Sequence, residues 1–563
     1  MYESIRRDSV NRLDENKKLG IKEVSLYLGR NRIETEEKVK TIRDNPEKYK
    51  QGLGIDATRA PMEYFSSEDY GAIAAAQIIS KSNKEPQLII VATETSKDLS
   101  ESSFIGIKKR IEILTDKTID PISLHVQSAC VSGIMSIATL LNTNFEGNAI
   151  IITHDAALYK MSTGPDMTGG IGGTALELAT ETSDSDIIIE RGFATTLPVP
   201  DFTKPVVVEE ENDGKGKAFI YPIVYGTLSE YAYLLAVYKA LKKAGIEEIN
   251  NYEAFVNNYA IAGHIPYPKM LDKAVAYLLR HFARIDKETR DRLTKEMGSF
   301  DEPNIDNIET HEESLEIYIE FIGLYSNLLR NKEANKEPNI KLLKESIKEE
   351  IESISKKHNI KNGTLYNAIV KTLEEVDNSN NLNELIVAMN PVKGVFDEFI
   401  SKDEAFMKKI RSTKIFKETR EELMLDYSTA LSKNTGNIYT GSSILSLASL
   451  ILYAYQNEEV KEKLNKKKII WIGYGSGSQA VVLIARASTE AINRIGKDIE
   501  EQLKAHEIIT KNITAEEYKS IREKNAKDIP IGIIPQERLK EEYEVYTKAR
   551  EEVKAAYAKK VKV

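Results

Sequence analysis

Gln127-Ser128-Ala129-Cys130-Val131-Ser132-Gly133 lies between a β-like run at residues 122–126 and an apolar stretch at 131–141 that reads as a helix. Cys130 is the only cysteine among 563 residues. A strand that passes to a helix through a cysteine puts the thiol at a helix N-terminus. Partial positive charge and unsatisfied N–H groups there favour the thiolate and lower a cysteine pKa. On these residues alone Cys130 reads either as a nucleophile or as a small buried hydrophobe.

Outward from this stretch, β-rich runs alternate with helical ones at residues 23–28, 72–79, 88–93, 104–114, 149–153 and 175–179. Such alternation implies the α/β class, a sheet covered by helices. From 286 to 425 the sequence is charge-dense and helical, with polar breaks at 331–339 and 378–383, and reads as an insertion. The α/β texture resumes with a helix near 443–455 and a strand at 468–473. A charged helical tail follows from about 489, with a turn expected at 528–532. The chain thus divides into 1–285, 286–425 and 426–563.

A hydrophobic content of 41% is that of a globular chain, and a single cysteine leaves no intramolecular disulfide. Residues 1–7 lack the apolar core of a signal peptide, and the longest apolar stretch, 444–455, is too short to span a bilayer. The expectation is a soluble, cytoplasmic protein without a membrane segment. A net charge of −9 argues against a nucleic-acid partner.

Two carboxylates precede the cysteine. Glu68 stands in the first turn of an alanine-rich helix, where acids stabilise the dipole. Glu94 leaves the end of the apolar strand Leu88-Ile89-Ile90-Val91-Ala92-Thr93, the end at which ligands gather in layered α/β folds. Downstream, Ala262-Gly263-His264-Ile265-Pro266-Tyr267-Pro268-Lys269 presents one of seven histidines ahead of two prolines. It has no neighbours at metal-ligand spacing, and no metal is expected. Two glycine-rich elements follow: Asn434-Thr435-Gly436-Asn437-Ile438-Tyr439-Thr440-Gly441-Ser442, and Gly473-Tyr474-Gly475-Ser476-Gly477-Ser478 at the end of a strand. Glycine there lets backbone N–H groups approach a ligand, or simply makes a tight turn. The second fails the dinucleotide fingerprint because Ser478 stands at its third glycine.

In this order the elements resemble the 3-hydroxy-3-methylglutaryl-CoA synthase family of the thiolase superfamily, over about 22–285 and 427–486. The resemblance runs through Gly52-Leu53-Gly54, Ser67-Glu68-Asp69, Ala92-Thr93-Glu94-Thr95-Ser96, Ser128-Ala129-Cys130 and Asp201-Phe202-Thr203-Lys204-Pro205. It continues through residues 221–229, 264–269, Gly436-Asn437-Ile438-Tyr439-Thr440 and Tyr474-Gly475-Ser476-Gly477. It implies a thiolase-like layered α-β-α-β-α fold with a helical insertion and tail, and a Claisen-type condensation of acetyl-CoA with acetoacetyl-CoA in the mevalonate pathway of isoprenoid biosynthesis. It implies Cys130 as the acetylated nucleophile, Glu94 as general base and His264 as the group that polarises the ketone. The backbone N–H groups of Cys130 and Ser476 would form the oxyanion hole, with Asn437, Tyr159, Thr168 and Asp201 lining the pocket. Lys269 and Lys273 would meet coenzyme A. No cofactor is implied beyond the CoA thioesters; a homodimer is, and a complex with a thiolase is left open.

Three departures from the family pattern stand out. Ser132 occupies a position the family usually fills with glycine or alanine, Tyr225 replaces an aspartate, and the 286–425 region is longer than the family needs. A β-branching synthase acting on carrier-bound acyl groups would share the fold, and so would an initiating ketoacyl synthase, although that enzyme lacks a glutamate base. A catalytically silent scaffold would not need Glu94, Cys130 and His264 together.

Overall fold

The computed structural model describes residues 17–82, 84–204, 206–207, 217–218, 221–245, 251–334, 336, 338–528 and 534–560. The expected turn at 528–532 lies mostly outside them, as do residues 1–7.

Nine strands form the central sheet: β1 Leu19–Tyr27, β2 Leu88–Ala92, β3 Ile122–Val126, β4 Asn148–Ala156, β5 Ile171–Ala179, β6 Ile187–Thr196, β7 Tyr259–Gly263, β8 Lys468–Gly475 and β9 Gln479–Ala487. Their order is β7-β8-β9-β6-β1-β5-β4-β2-β3. Pairing is parallel at both margins, β7 with β8 and β3 with β2 with β4, and antiparallel between.

The period-two alternation of the strands builds five layers. In β2, Leu88 and Ile90 pack inward with Ile134 and Ile137 of helix Ser132–Leu141 and with Ile444, Leu447 and Ile451 of helix Ser442–Gln456. Ile89 and Val91 face the other way, onto helices Ser67–Lys81 and Ser103–Thr115. In β8, Ile469 and Trp471 join the same central cluster, whereas Ile470, Ile472 and Tyr474 pack on helices Gly226–Lys243 and Lys269–Ile285. Helix Ser132–Leu141 touches β2, β3 and β4 as well as β6, β8 and β9, so the sheet wraps around a buried middle layer. This is the layered α-β-α-β-α arrangement expected from the sequence. Both middle helices are buried along nearly their whole length, helix Ser132–Leu141 between strands and helix Ser442–Gln456 between β7, β8 and the tail helix Thr489–Ile509.

β4, β5 and β8 lengthen the expected runs, whereas β3 has the expected bounds and β2 ends one residue early. The sequence does not announce β6, β7 or β9 as strands: Tyr259-Ala260-Ile261-Ala262-Gly263 has no alternation because both of its faces are buried. Gly173 in β5 lets the helix Ser67–Lys81 approach, since a Cβ there would collide with the Tyr70 and Gly71 backbone.

Residues 287–422 form seven helices, from Lys287–Met297 to Lys414–Glu422. Their apolar faces share one core with helices 226–243 and 269–285 and with β8 and β9. A buried network ties them on: Arg280 donates to Asp403 at 2.7 Å, as does the Tyr231 hydroxyl at 3.0 Å, and His311 lies 2.9 Å from the same carboxylate. Burial opposes ionisation of Asp403, but Arg280 and His311 together outweigh it and hold the carboxyl well below its usual range. Tyr225, the residue in place of an aspartate, sets its ring edge-on to Tyr325 of these helices. The tail helices Thr489–Ile509 and Gln536–Lys560 pack on each other, the first on helix 442–456 and β1, and the second through Tyr546 on Tyr27.

Candidate active site

Cys130 lies between β3 and the helix Ser132–Leu141, with Ala129 in the left-handed region at φ 49°. Ser132 braces this loop: its hydroxyl accepts from Ser128 N–H at 2.6 Å and donates to the Ala129 carbonyl at 2.7 Å. A glycine or alanine could make neither bond. Glu94 follows β2, two strands into the sheet from the same margin. The Cys130 thiol donates to Glu94 Oε2 at 2.7 Å, both residues being buried.

The expected lowering of the Cys130 pKa does not occur. Burial and the adjacent Glu94 carboxylate push the thiol well up, because desolvating a thiolate beside a negative charge outweighs the partial charge of a helix end. Burial also raises Glu94, against Lys204, which lowers it. The resting pair is therefore a thiol facing a carboxylate with elevated basicity.

Asp155, at the end of β4, fixes Glu94. Its Oδ1 accepts from Thr93 Oγ1 at 2.8 Å, Glu94 N–H at 2.9 Å, and Thr95 N–H and Oγ1 at 3.0 and 2.8 Å. Its Oδ2 accepts from Thr440 N–H at 3.0 Å and from the Thr440 hydroxyl. One buried carboxylate thus joins the Glu94 loop to the 434–442 element. The sequence reading passed over it, although an acid at the carboxyl end of an apolar strand is the signal that marked Glu94.

Around the thiol stand Tyr159, Tyr439 and, half-buried, Phe202, their rings mutually edge-on with centroids 6.2–6.4 Å apart. Asn437 is buried, and its side chain accepts from Tyr439 N–H at 2.8 Å while its backbone N–H donates to the Thr168 carbonyl at 2.9 Å. Thr168 itself is half-buried, its hydroxyl bonded to the Pro165 carbonyl. Arg522 of the tail holds this wall from behind, donating to the Tyr159 carbonyl at 2.7 Å and to Asp166 at 2.9 Å.

The turn carrying Ser476 abuts the cysteine loop. A Cβ on Gly475 would lie 2.7 Å from the Ser128 carbonyl and 2.9 Å from Val131 N, so only glycine allows the approach. The turn leads into antiparallel β9, leaving no helix N-terminus for a pyrophosphate. Asp201 holds it, accepting from Gly477 N–H at 2.8 Å and from the Tyr474 hydroxyl at 3.0 Å. The Asp201 carboxylate is therefore spent on the turn.

His264 ends β7. Its ring stacks on Tyr474 at 6.4 Å, its backbone N–H donates to the Ile472 carbonyl at 2.8 Å, and its carbonyl accepts from the Tyr233 hydroxyl. Burial lowers its pKa to about 3, so the imidazole is neutral. Its Nδ1 is a buried atom without a partner among the described residues. Lys269 is exposed at the start of its helix and bonds the Gln51 carbonyl, whereas Lys273 pairs with Glu230 and lies over the Tyr267 ring at 5.6 Å. Glu68 pairs with Arg110 at 2.9 Å and Lys97 at 3.1 Å, away from the thiol. No cluster able to hold a metal occurs among the described residues.

Residues 364–531 match the family Hydroxymethylglutaryl-coenzyme A synthase C terminal, a match that begins inside the helical region and ends in the tail. A hydroxymethylglutaryl-CoA synthase of Haloferax volcanii is 26% identical over 289 residues, 49% of this chain and 61% of that protein. One from Enterococcus faecalis is 23% identical over 292 residues, 50% of this chain and 69% of that protein. The chain thus aligns with only about three fifths to two thirds of the length of these relatives. A solved structure described as "MvaS in complex with 3-hydroxy-3-methylglutaryl coenzyme A" shares the fold with a TM-score of 0.59 at 17% identity, over 92% of this chain and 95% of that one. The chain is thus similar to hydroxymethylglutaryl-CoA synthases over part of its sequence and shares their fold.

Proposed function

We propose that the chain condenses acetyl-CoA with acetoacetyl-CoA, through an acetyl-Cys130 intermediate, to give 3-hydroxy-3-methylglutaryl-CoA, a precursor of mevalonate. The observation that carries this reading is the 2.7 Å contact between the Cys130 thiol and Glu94 in a buried, aromatic-walled site. The thiol proton has Glu94 Oε2 as its acceptor. As sulfur attacks the acetyl thioester, a C–S bond forms, the bond to the coenzyme A sulfur breaks, and the departing thiolate takes up a proton. In this reading the N–H groups of Cys130 and Ser476 receive the oxyanion, which the close approach of the Gly475 turn to the cysteine loop supports.

Glu94, ionised again, removes a methyl proton from acetyl-Cys130, and a buried carboxylate has the raised basicity for this. The enolate carbon attacks the ketone of acetoacetyl-CoA. Neutral His264 polarises that ketone by donating one N–H, and Glu94-H returns its proton to the new alkoxide. Water then hydrolyses the Cys130 thioester. No cofactor enters the scheme. Lys269 is exposed for coenzyme A, whereas Lys273 would exchange Glu230 for a phosphate.

Edge strand β3 supports a homodimer: it pairs only on its β2 side and exposes Ile122 and Leu124 by 74% and 49%. A thiolase, as a source of acetoacetyl-CoA, is the companion enzyme. No helix among the described residues is long and apolar enough to cross a membrane, and an unoxidised thiol suits the reducing cytoplasm.

Intact-protein mass spectrometry after mixing with acetyl-CoA tests the reading. We expect one acetyl adduct, on Cys130, discharged by acetoacetyl-CoA as hydroxymethylglutaryl-CoA. An adduct formed only from an acetylated carrier protein would move the assignment to a β-branching synthase; none from either donor would overturn it.

A further inference from the structure

We infer that Lys204 is an electrostatic positioning residue of this site, its ammonium setting where the proton shared by Cys130 and Glu94 resides. The inference rests on the synthase reading and adds to it a residue that reading does not use. Lys204 Nζ lies 3.6 Å from Glu94 Oε1. That oxygen is buried and accepts no hydrogen bond among the described residues, whereas Oε2 takes the thiol. The two oxygens of Glu94 thus face two different groups, a proton donor and a cation.

Lys204 is built into this position. It follows the short strand Phe202–Thr203, which pairs with Ile223–Val224 and is anchored by the buried Asp201. Its ammonium lies over the Tyr439 ring at 5.0 Å and the Phe202 ring at 5.9 Å, two π faces that hold a cation without neutralising it. Glu94 is its only carboxylate within ion-pair distance among the described residues.

The charges facing the pair define its task. Glu94 and Asp155 both act on Cys130 as negative neighbours, and Lys204 is the cation that opposes them. Tyr159 and Tyr439 are phenols that burial keeps protonated, and His264 is neutral. Without Lys204, a thiolate would form beside two carboxylates with no counter-charge. With it, Glu94 remains the carboxylate that condensation requires, and the thiolate is stabilised as it forms.

The test uses the sole cysteine. Alkylation of Cys130 by iodoacetamide, followed by intact mass against pH, reads thiolate formation without any acyl substrate. We expect Lys204→Met to move the alkylation midpoint upward by about one pH unit and Lys204→Arg to leave it near the wild-type value. In a Glu94→Gln background the Lys204→Met shift should change, since the two residues act on one another. A Lys204→Met midpoint equal to wild type would overturn the inference, as would an equal shift in Lys204→Arg, which would mean that shape and not charge matters. Failure of the wild type to take acetyl from acetyl-CoA would instead remove the synthase reading while leaving the alkylation result to judge Lys204.

Discussion

Asp155 accepts six hydrogen bonds, from Thr93, Glu94, Thr95 and Thr440, and so sets the direction in which Glu94 points. An asparagine keeps the shape but turns one acceptor into a donor, which would face donors of its own. Bonds to a charged acceptor are worth about 1.5–3 kcal/mol each, and a buried donor left unpaired costs about 1–3 kcal/mol. Asp155→Asn is expected to lose roughly 3 kcal/mol of stability by urea unfolding and to slow condensation at least about 100-fold, in line with loss of an aligned base. Glu94→Ala separates the two chemical steps. Acetyl-Cys130 should still form, more slowly, whereas condensation should fall by about 10²–10⁴. Rapid-quench measurement of adduct and product distinguishes these, and a normal condensation rate in Glu94→Ala would remove Glu94 as the base.

At the scale of elements, the margin strand β3 both delivers Cys130 and ends the sheet. Its unpaired side presents backbone N–H and C=O groups together with exposed apolar side chains, and nothing on the strand blunts it with charge. In the proposed homodimer, continuation of the sheet into a second copy would satisfy those groups and bring the partner next to the nucleophile loop. Ile122→Lys with Leu124→Lys is expected to turn a dimer into a monomer in sedimentation velocity. An unchanged sedimentation coefficient would place the dimer contact elsewhere. Loss of the dimer should also lower acetylation, because the β3 end that carries Cys130 would be left unsupported.

Across the whole molecule, buried neutral histidines couple folding to pH. Burial lowers His264 and His506 to about 3 and His154 to about 4. Each would titrate near 6.5 when unfolded, so between that value and the folded pKa the unfolded chain binds more protons and stability falls with falling pH. Each contributes about 1.4 kcal/mol per pH unit below 6.5, or roughly 2 kcal/mol at pH 5. Glu94 and Asp201, raised by burial, act in the opposite sense and offset part of this. The net expectation is a lower urea midpoint at pH 5 than at pH 7. A midpoint unchanged or higher at pH 5 would show that these imidazoles take up protons without unfolding. The helices of 287–422 respond with the rest, because Arg280 and Asp403 join them to the sheet's own helices in one core.

The sequence by itself determined the class of fold and put Cys130 and Glu94 forward as the candidate nucleophile and base. Runs of apolar residues with strand or helix period are local, and so is a cysteine between a strand and a helix or a glutamate at a strand end. It could not show that β6, β7 and β9 are strands, because strands buried on both faces, or irregularly patterned, carry no alternation. It also misjudged the charge state of Cys130. The helix end is visible in the sequence, but the desolvation and the Glu94 carboxylate that outweigh it arise only when β2 and β3 are paired. Asp155 and Lys204 stand 61 and 110 residues beyond Glu94, and only the tertiary structure brings them to it. Roles that depend on one residue's own backbone were legible; roles that depend on distant charges meeting in a dry interior were decided by packing.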